Sequence, residues 1–270
     1  MSATDPAAAA PASDGSAAIL ASDEDGTRVL TLSRPGRLNA LDDIGRARLL
    51  AALRHAMDDP AVCVVVLTGD GRDFSAGGDL GAMSTDPEVA RPRLEVVAEV
   101  IRLIAAGPKP VIAAVEGRAY GLGLGLAAAS DHLVAASDAT FCCPFGRVGL
   151  TADGGLHTTL PARVGVGRAK TMLLFGEVVD AGLGAEWGLV DRVCTPGAAL
   201  AESLAAARRL LKLAPLPMAE TKRLLAGSAP GLEEGLRGEG EAQARLVASA
   251  DFAEGAKAFL AKRRPVFQCR

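Results

Sequence analysis

Aromatic residues are scarce: one Trp, one Tyr and seven Phe in 270 residues. The core must therefore be built from Ala, Leu and Val. Metal-ligating patterns are missing as well. Cys63, Cys142, Cys143, Cys194 and Cys269 form no C-x-x-C pair, and His55, His132 and His157 stand far apart, so no metal centre is expected. An odd number of cysteines fits reduced thiols and a cytoplasmic location. No run of about 18 to 20 apolar residues is free of charges, so no membrane span is expected. The net charge of −3 supplies no positive field for nucleic acid. What is present, 49% hydrophobic and 23% charged residues, is ordinary for a globular protein. The length allows one large domain, or a domain with an appendage.

Residues 1–16, dominated by Ala, Pro, Ser and Asp, read as a disordered tail rather than a signal peptide. Residues 17–21 and 28–33 read as strands joined by the Asp23-Glu24-Asp25-Gly26 turn. Asp42 or Asp43 is a helix cap for about 44–57, and residues 62–68 form a continuous apolar strand. Asp86-Pro87 starts a helix to Ala106, although Pro92 argues for a later start. Residues 111–115 and 133–136 read as buried strands, 141–155 as irregular, and 156–164, 168–175 and 180–187 as helices. A last strand is expected at 189–194. After Pro196 only amphipathic helices follow, which reads as a helical appendage packed on itself or on a neighbouring subunit. Strands alternating with helices give an α/β body, 17–196, and a C-terminal helical region, 197–270.

The stretch from Lys109 to Asp131 organises the chain. Its β-branched strand runs into Gly117, Gly121, Gly123 and Gly125 and then an apolar helix. A glycine turn feeding a helix leaves backbone N–H groups unpaired, and Gly121 and Gly123 clear side chains from the approach. A second such loop is Phe74-Ser-Ala-Gly-Gly-Asp-Leu80. Either loop alone is equally well a tight strand-to-helix turn. Two of them meeting in space can aim paired donors at one oxygen.

Read in order, Arg34-Pro-Gly-Arg-Leu-Asn-Ala-Leu41, Leu67-Thr-Gly69, the 74–80 loop, Lys109-Pro-Val-Ile-Ala-Ala-Val-Glu-Gly117, Trp187-Gly-Leu-Val-Asp-Arg-Val193 and Phe259-Leu-Ala-Lys-Arg-Arg264 resemble the enoyl-CoA hydratase/isomerase (crotonase) superfamily. The resemblance runs from about Ala17 to Arg264. It implies a spiral of ββα units, a C-terminal helical trimerisation region, a homotrimer or dimer of trimers, an acyl-CoA thioester as substrate and no further cofactor. It assigns the two oxyanion-hole N–H groups to Gly78 and Leu122. For the CoA and acyl groups it points to Arg37, Ala76, Gly77, Asp79, Leu80, Gly121, Phe145, Lys257 and Lys262.

The chain departs from the resemblance where a hydratase carries two glutamates: Gly125 and Phe145 stand there. Val148-Gly-Leu-Thr-Ala-Asp-Gly-Gly155 resembles instead the segment of members that use an aspartate, among them ring-opening and double-bond isomerases. This puts Asp153 in the role of a single base that moves a proton between carbons, its pKa raised by Leu122, Phe145 and Leu150. The competing reading makes Asp153 a helix cap. An aspartate nucleophile of the dehalogenase kind would need a histidine base near Val97-Ala98, and none is there. A dinucleotide site fails on the spacing of Gly121-x-Gly-x-Gly125. A non-catalytic acyl-CoA binder stays open, consistent with both missing glutamates.

Overall fold

The computed structural model describes residues 17–84, 86–226 and 232–267; the expected tail 1–16 and Cys269 lie outside them. In chain order the elements are β1 (Ala18–Glu24), β2 (Thr27–Ser33), α1 (Asp43–Asp58), β3 (Val64–Gly69), α2 (Pro87–Ala106), β4 (Val111–Val115), β5 (Arg118–Tyr120) and α3 (Leu122–Ala129). There follow β6 (His132–Ala136), β7 (Thr140–Cys142), α4 (Leu156–Val164), α5 (Val166–Phe175), β8 (Val179–Asp180), α6 (Ala181–Trp187) and β9 (Arg192–Cys194). The chain closes with α7 (Ala199–Leu210), α8 (Pro215–Ala226), α9 (Leu232–Val247) and α10 (Ala250–Leu260).

Six strands form one sheet in the order β1-β2-β3-β4-β6-β9, parallel except for the β1–β2 hairpin. That hairpin turns on Asp25 and Gly26, both at positive φ, the conformation an Asp-Gly pair supplies readily. A second, three-stranded sheet runs β5-β7-β8. Successive strands alternate between the sheets: β4 in the large one is followed by β5 in the small one and α3, and β6 by β7. Ser75 bridges Ala119, and Ala119 pairs with Phe141, so each turn of the spiral adds one rung to the small sheet.

The sequence reading placed β4 but not β5 or β7. Three-residue strands between glycines carry no periodicity, and each is held by its neighbours in the spiral rather than by its own composition. The helix beginning at Asp86-Pro87 runs through Pro92. The irregular stretch contains β7 and a 3-10 turn, Pro144–Val148.

Both faces of the large sheet are buried, as continuous apolar strands require. On one face Val65, Leu67, Val111, Ala113, Leu133 and Ala135 pack towards α1 to α4. On the other, Val64, Val66, Ile112, Ala114 and Val134 pack against Ala199 and Ala207 of α7. The helix α7 therefore packs on the body as a layer covering this face of the sheet. Amphipathicity says that a face is buried, not against what.

Two carboxylates flanking the glycine stretch secure this arrangement. Asp131 accepts from Val111 N at 2.7 Å and pairs with buried Lys222, which also donates to Ile104 O at 2.8 Å and so ties α8 to the body. Glu116 accepts from Gly197 N at 3.0 Å and Ala199 N at 2.9 Å, capping α7. Glu116→Ala leaves those donors open and should cost about 1 kcal/mol. In a chain of this size that lowers the melting temperature by about 2–4 °C in a thermal scan.

Candidate active site

Residues 74–79 thread beside residues 38–41. Leu41 N donates to Gly77 O at 2.8 Å and Asp79 N to Leu41 O at 3.0 Å. Both contacts lie on one edge of the segment, so the N–H of Gly78 between them faces the other edge. Asn39, at φ 54°, fixes the loop by donating to Asp70 O and Asp73 O, at 2.9 and 2.6 Å.

The second loop ends at Gly121, whose φ of 54° aims the chain into α3. The first turn of α3 leaves the Leu122 N–H without an intrahelical acceptor. Gly77 brings the loops together: at φ 97°, a Cβ there would lie 2.7 Å from Tyr120 O and 3.0 Å from Leu122 N. Any side chain at this point would push them apart.

The loops border a cavity of about 250 Å³. Gly78, Gly121 and Leu122 line it, with Ala76, Leu80 and Met83 from the first loop and its 3-10 turn. The Pro144–Val148 turn adds Phe145, whose ring lies over Gly121, and Arg147. Arg147 spends a guanidinium N–H on Gly176 O at 2.8 Å. Leu150 and Asp153 complete that wall, and Arg46 enters from α1.

Asp153 is the one carboxylate among the lining residues. Its Oδ1 is buried with no hydrogen-bond partner among the described residues. It caps nothing: α4 begins at Gly155 with no side-chain cap, which sets aside the capping reading. Burial pushes its pKa above the ordinary 3.8, and the Arg46 and Arg93 charges pull against that rise. Gly125 lies behind the carboxylate turn, and a Cβ on it would come within 2.7 Å of Gly154 O.

Of the other sequence-derived residues, Ala76, Leu80, Gly121 and Phe145 line the cavity. Gly77 stands behind it as a packing glycine. Asp79 does not line it: its carboxylate pairs with Arg34 at 2.7 Å and accepts from Gly81 N. Arg37, Lys257 and Lys262 are exposed and lie outside the cavity of this single chain. His157 is exposed and meets Thr151 rather than Asp153. Cys142 and Cys143 are buried, and burial pushes the Cys143 thiol up to about 11, which makes it a packing group. Sequence reasoning missed Arg46. Its signal was there: Arg46 falls on the apolar stripe of α1 with Leu49, Leu50 and Leu53, where a charge is out of place. No group of three or more His, Cys, Asp or Glu placed to hold a metal occurs among the described residues.

The glycine loops of a strand-pair spiral thus meet over an apolar cavity that one carboxylate lines, the arrangement of an enzyme active site. Residues 22–270 match the family described as Enoyl-CoA hydratase/isomerase, and the chain belongs to it. It is 35% identical over 255 residues to the 1,2-epoxyphenylacetyl-CoA isomerase of Escherichia coli, covering 92% of this chain and 97% of that one. It is 35% identical over 252 residues to the crotonyl-CoA hydratase of Syntrophomonas wolfei, with the same two coverages, 92% and 97%. The crystal structure of an enoyl-CoA hydratase from a Polaromonas species superposes with a TM-score of 0.87 at 38% identity, over 92% of this chain and 99% of that one.

Proposed function

We propose that this enzyme is an enoyl-CoA isomerase that works with one base, Asp153. The observation that carries the reading is a single carboxylate, with an unpartnered buried oxygen, in a cavity bordered by two open backbone N–H groups. The thioester oxygen sits against the N–H groups of Gly78 and Leu122. Asp153 takes a proton from C2 of a 3-enoyl thioester, and the C–H electron pair flows into a dienolate. The negative charge gathers on the thioester oxygen, where each donor lowers the barrier by about 2.7–4 kcal/mol. Asp153 then returns the proton to C4, giving the 2-enoyl thioester with nothing gained or lost. Opening and rearranging a strained ring next to the thioester would use the same proton path, and the Escherichia coli relative is a 1,2-epoxyphenylacetyl-CoA isomerase by name.

Water addition would need a water held and deprotonated as well as a proton delivered. The two positions that resemblance gives to a hydratase's glutamates are Gly125 and Phe145 here. CoA is read as lying along Ala76 and Arg37, its phosphates reached by Lys257 and Lys262 of a neighbouring copy. Assembly with further copies, as a trimer by resemblance, is supported by the apolar side chains exposed on α5 and α10, among them Leu174 and Phe175 (73% each) and Phe259 (83%).

Separate incubations with 3-enoyl-CoA and 2-enoyl-CoA test the reading, with bond migration and hydration followed independently. Migration of the 3-enoyl double bond without hydration of the 2-enoyl ester is expected. Fast hydration would make the chain a hydratase; binding with neither reaction would make it an acyl-CoA binder.

A further inference from the structure

Arg46 is built unlike Arg163, a half-buried arginine held at the far end of α3. Arg163 has each guanidinium nitrogen occupied: Nε donates to Ala128 O at 3.0 Å, Nη2 to Ser130 O at 2.5 Å, and Nη1 to Leu189 O and the Asp191 carboxylate. That is a structural clamp. In Arg46, whose side chain is only 4% exposed, Nη1 meets the Asp43 carboxylate at 2.5 Å. Its Nη2 lies against Gly78, where an added Cβ would come within 2.7 Å. Its Nε is buried with no partner among the described residues, and so is Asp153 Oδ1. One cavity is thus lined by a guanidinium whose charge Asp43 meets on its outer side and whose Nε is unpartnered, and by a carboxylate with an unpartnered oxygen. An ionised carboxylate is costly in an apolar wall, and at low dielectric the attraction of the cation acts at a distance at which water would screen it.

We propose that Arg46 is the counter-charge of Asp153 and a positioning residue for the proton shuttle, facing both ends of the charge movement. This rests on Asp153 being the base. Before proton transfer the negative charge is on Asp153. After it, Asp153 is neutral and the charge is on the thioester oxygen beside Gly78, which Nη2 also faces. Beside the constant Asp43 carboxylate, the buried cation faces one negative charge before and after the transfer, and no group has to move to follow it. The other groups acting on Asp153 are Arg93 of α2, a second cation, and the Cys143 thiol. Those acting on Arg46 are Asp43 and Arg93. Burial raises the Asp153 pKa and Arg46 opposes the rise, so loss of Arg46 moves the titration to higher pH.

The test is the ¹³C carboxyl resonance of Asp153 in the full chain, assigned by its absence in Asp153→Asn and titrated with pH. Arg46→Gln should raise the midpoint by about one pH unit, with the acid limb of kcat/KM moving alike. Asp43→Asn frees the cation from its outer partner and should lower the midpoint. An unchanged midpoint in Arg46→Gln overturns the proposal. Should that variant fail to fold, a midpoint in Asp43→Asn that stays or rises overturns it equally. Because the resonance is read without turnover, full activity in Asp153→Asn would remove the base reading while the titration still decides the pairing.

Discussion

Asp153→Asn should lose about 10²- to 10⁴-fold in kcat on an enoyl-CoA substrate while its affinity for CoA esters is kept. The substitution preserves shape and removes the ionisable group, and with it both the charge and the ability to take up a proton. The same variant should not lower the melting temperature at neutral pH. A buried carboxylate whose pKa is raised is less stable ionised in the folded chain than in the unfolded one. Below the ordinary 3.8 both states are protonated and the penalty is absent. It grows as pH rises through that value, because the unfolded chain ionises first, and is complete above the folded-state pKa. The variant's melting temperature should therefore equal or exceed that of the parent at pH 7 and lose the advantage towards pH 3. Low activity with undiminished stability is the expected mark of a side chain kept for chemistry. A drop in both would mean that Asp153 is structural, and undiminished turnover would remove it as the base.

The parts of this molecule that could be read from sequence are those in which local chemistry decides the outcome. The continuous apolar run Val111–Val115 becomes β4 residue for residue, and Asp42 and Asp86 cap α1 and α2. The two glycine loops could be picked out because glycine is required where backbones touch. What stayed hidden depends on partners distant in sequence. Strands β5 and β7 exist only because Ser75, Ala119 and Phe141 stack in successive turns. The ion pair of Lys222 with Asp131 joins residues from the helical region and the glycine stretch, and neither position announces the other. The site was legible in the same measure. Asp153 and the loop residues carry a motif, whereas Arg46 is visible only as a charge on an apolar helix stripe, and its cavity is not visible at all.

Gly125→Glu, which installs a carboxylate where the sequence resemblance puts a hydratase glutamate, should abolish isomerase turnover without creating a hydratase. In α3 every residue is buried, and Gly125 lies directly against the turn that carries Asp153. A Cβ there would sit 2.7 Å from Gly154 O and 3.2 Å from Gly154 Cα, backbone atoms that cannot rotate away. Gly154 itself is at φ 61°, and a Cβ on it would approach Leu122 Cδ1 to 3.0 Å, so the turn has no slack towards the helix. A single methyl, in Gly125→Ala, must therefore displace the turn, at a cost of about 1–3 kcal/mol in stability. A shift of the base by about 1 Å costs about 10²-fold in rate. The glutamate adds a charged group to a dry wall and should lose more on both counts. The close approach of α3 to this turn thus places the carboxylate against the cavity and leaves no room for a second one beside it. Parallel melting curves and 3-enoyl-CoA kinetics for the alanine and glutamate variants check this. A glutamate variant that stays folded and hydrates a 2-enoyl ester would show that the turn yields, and that Gly125 is a matter of substitution rather than of packing.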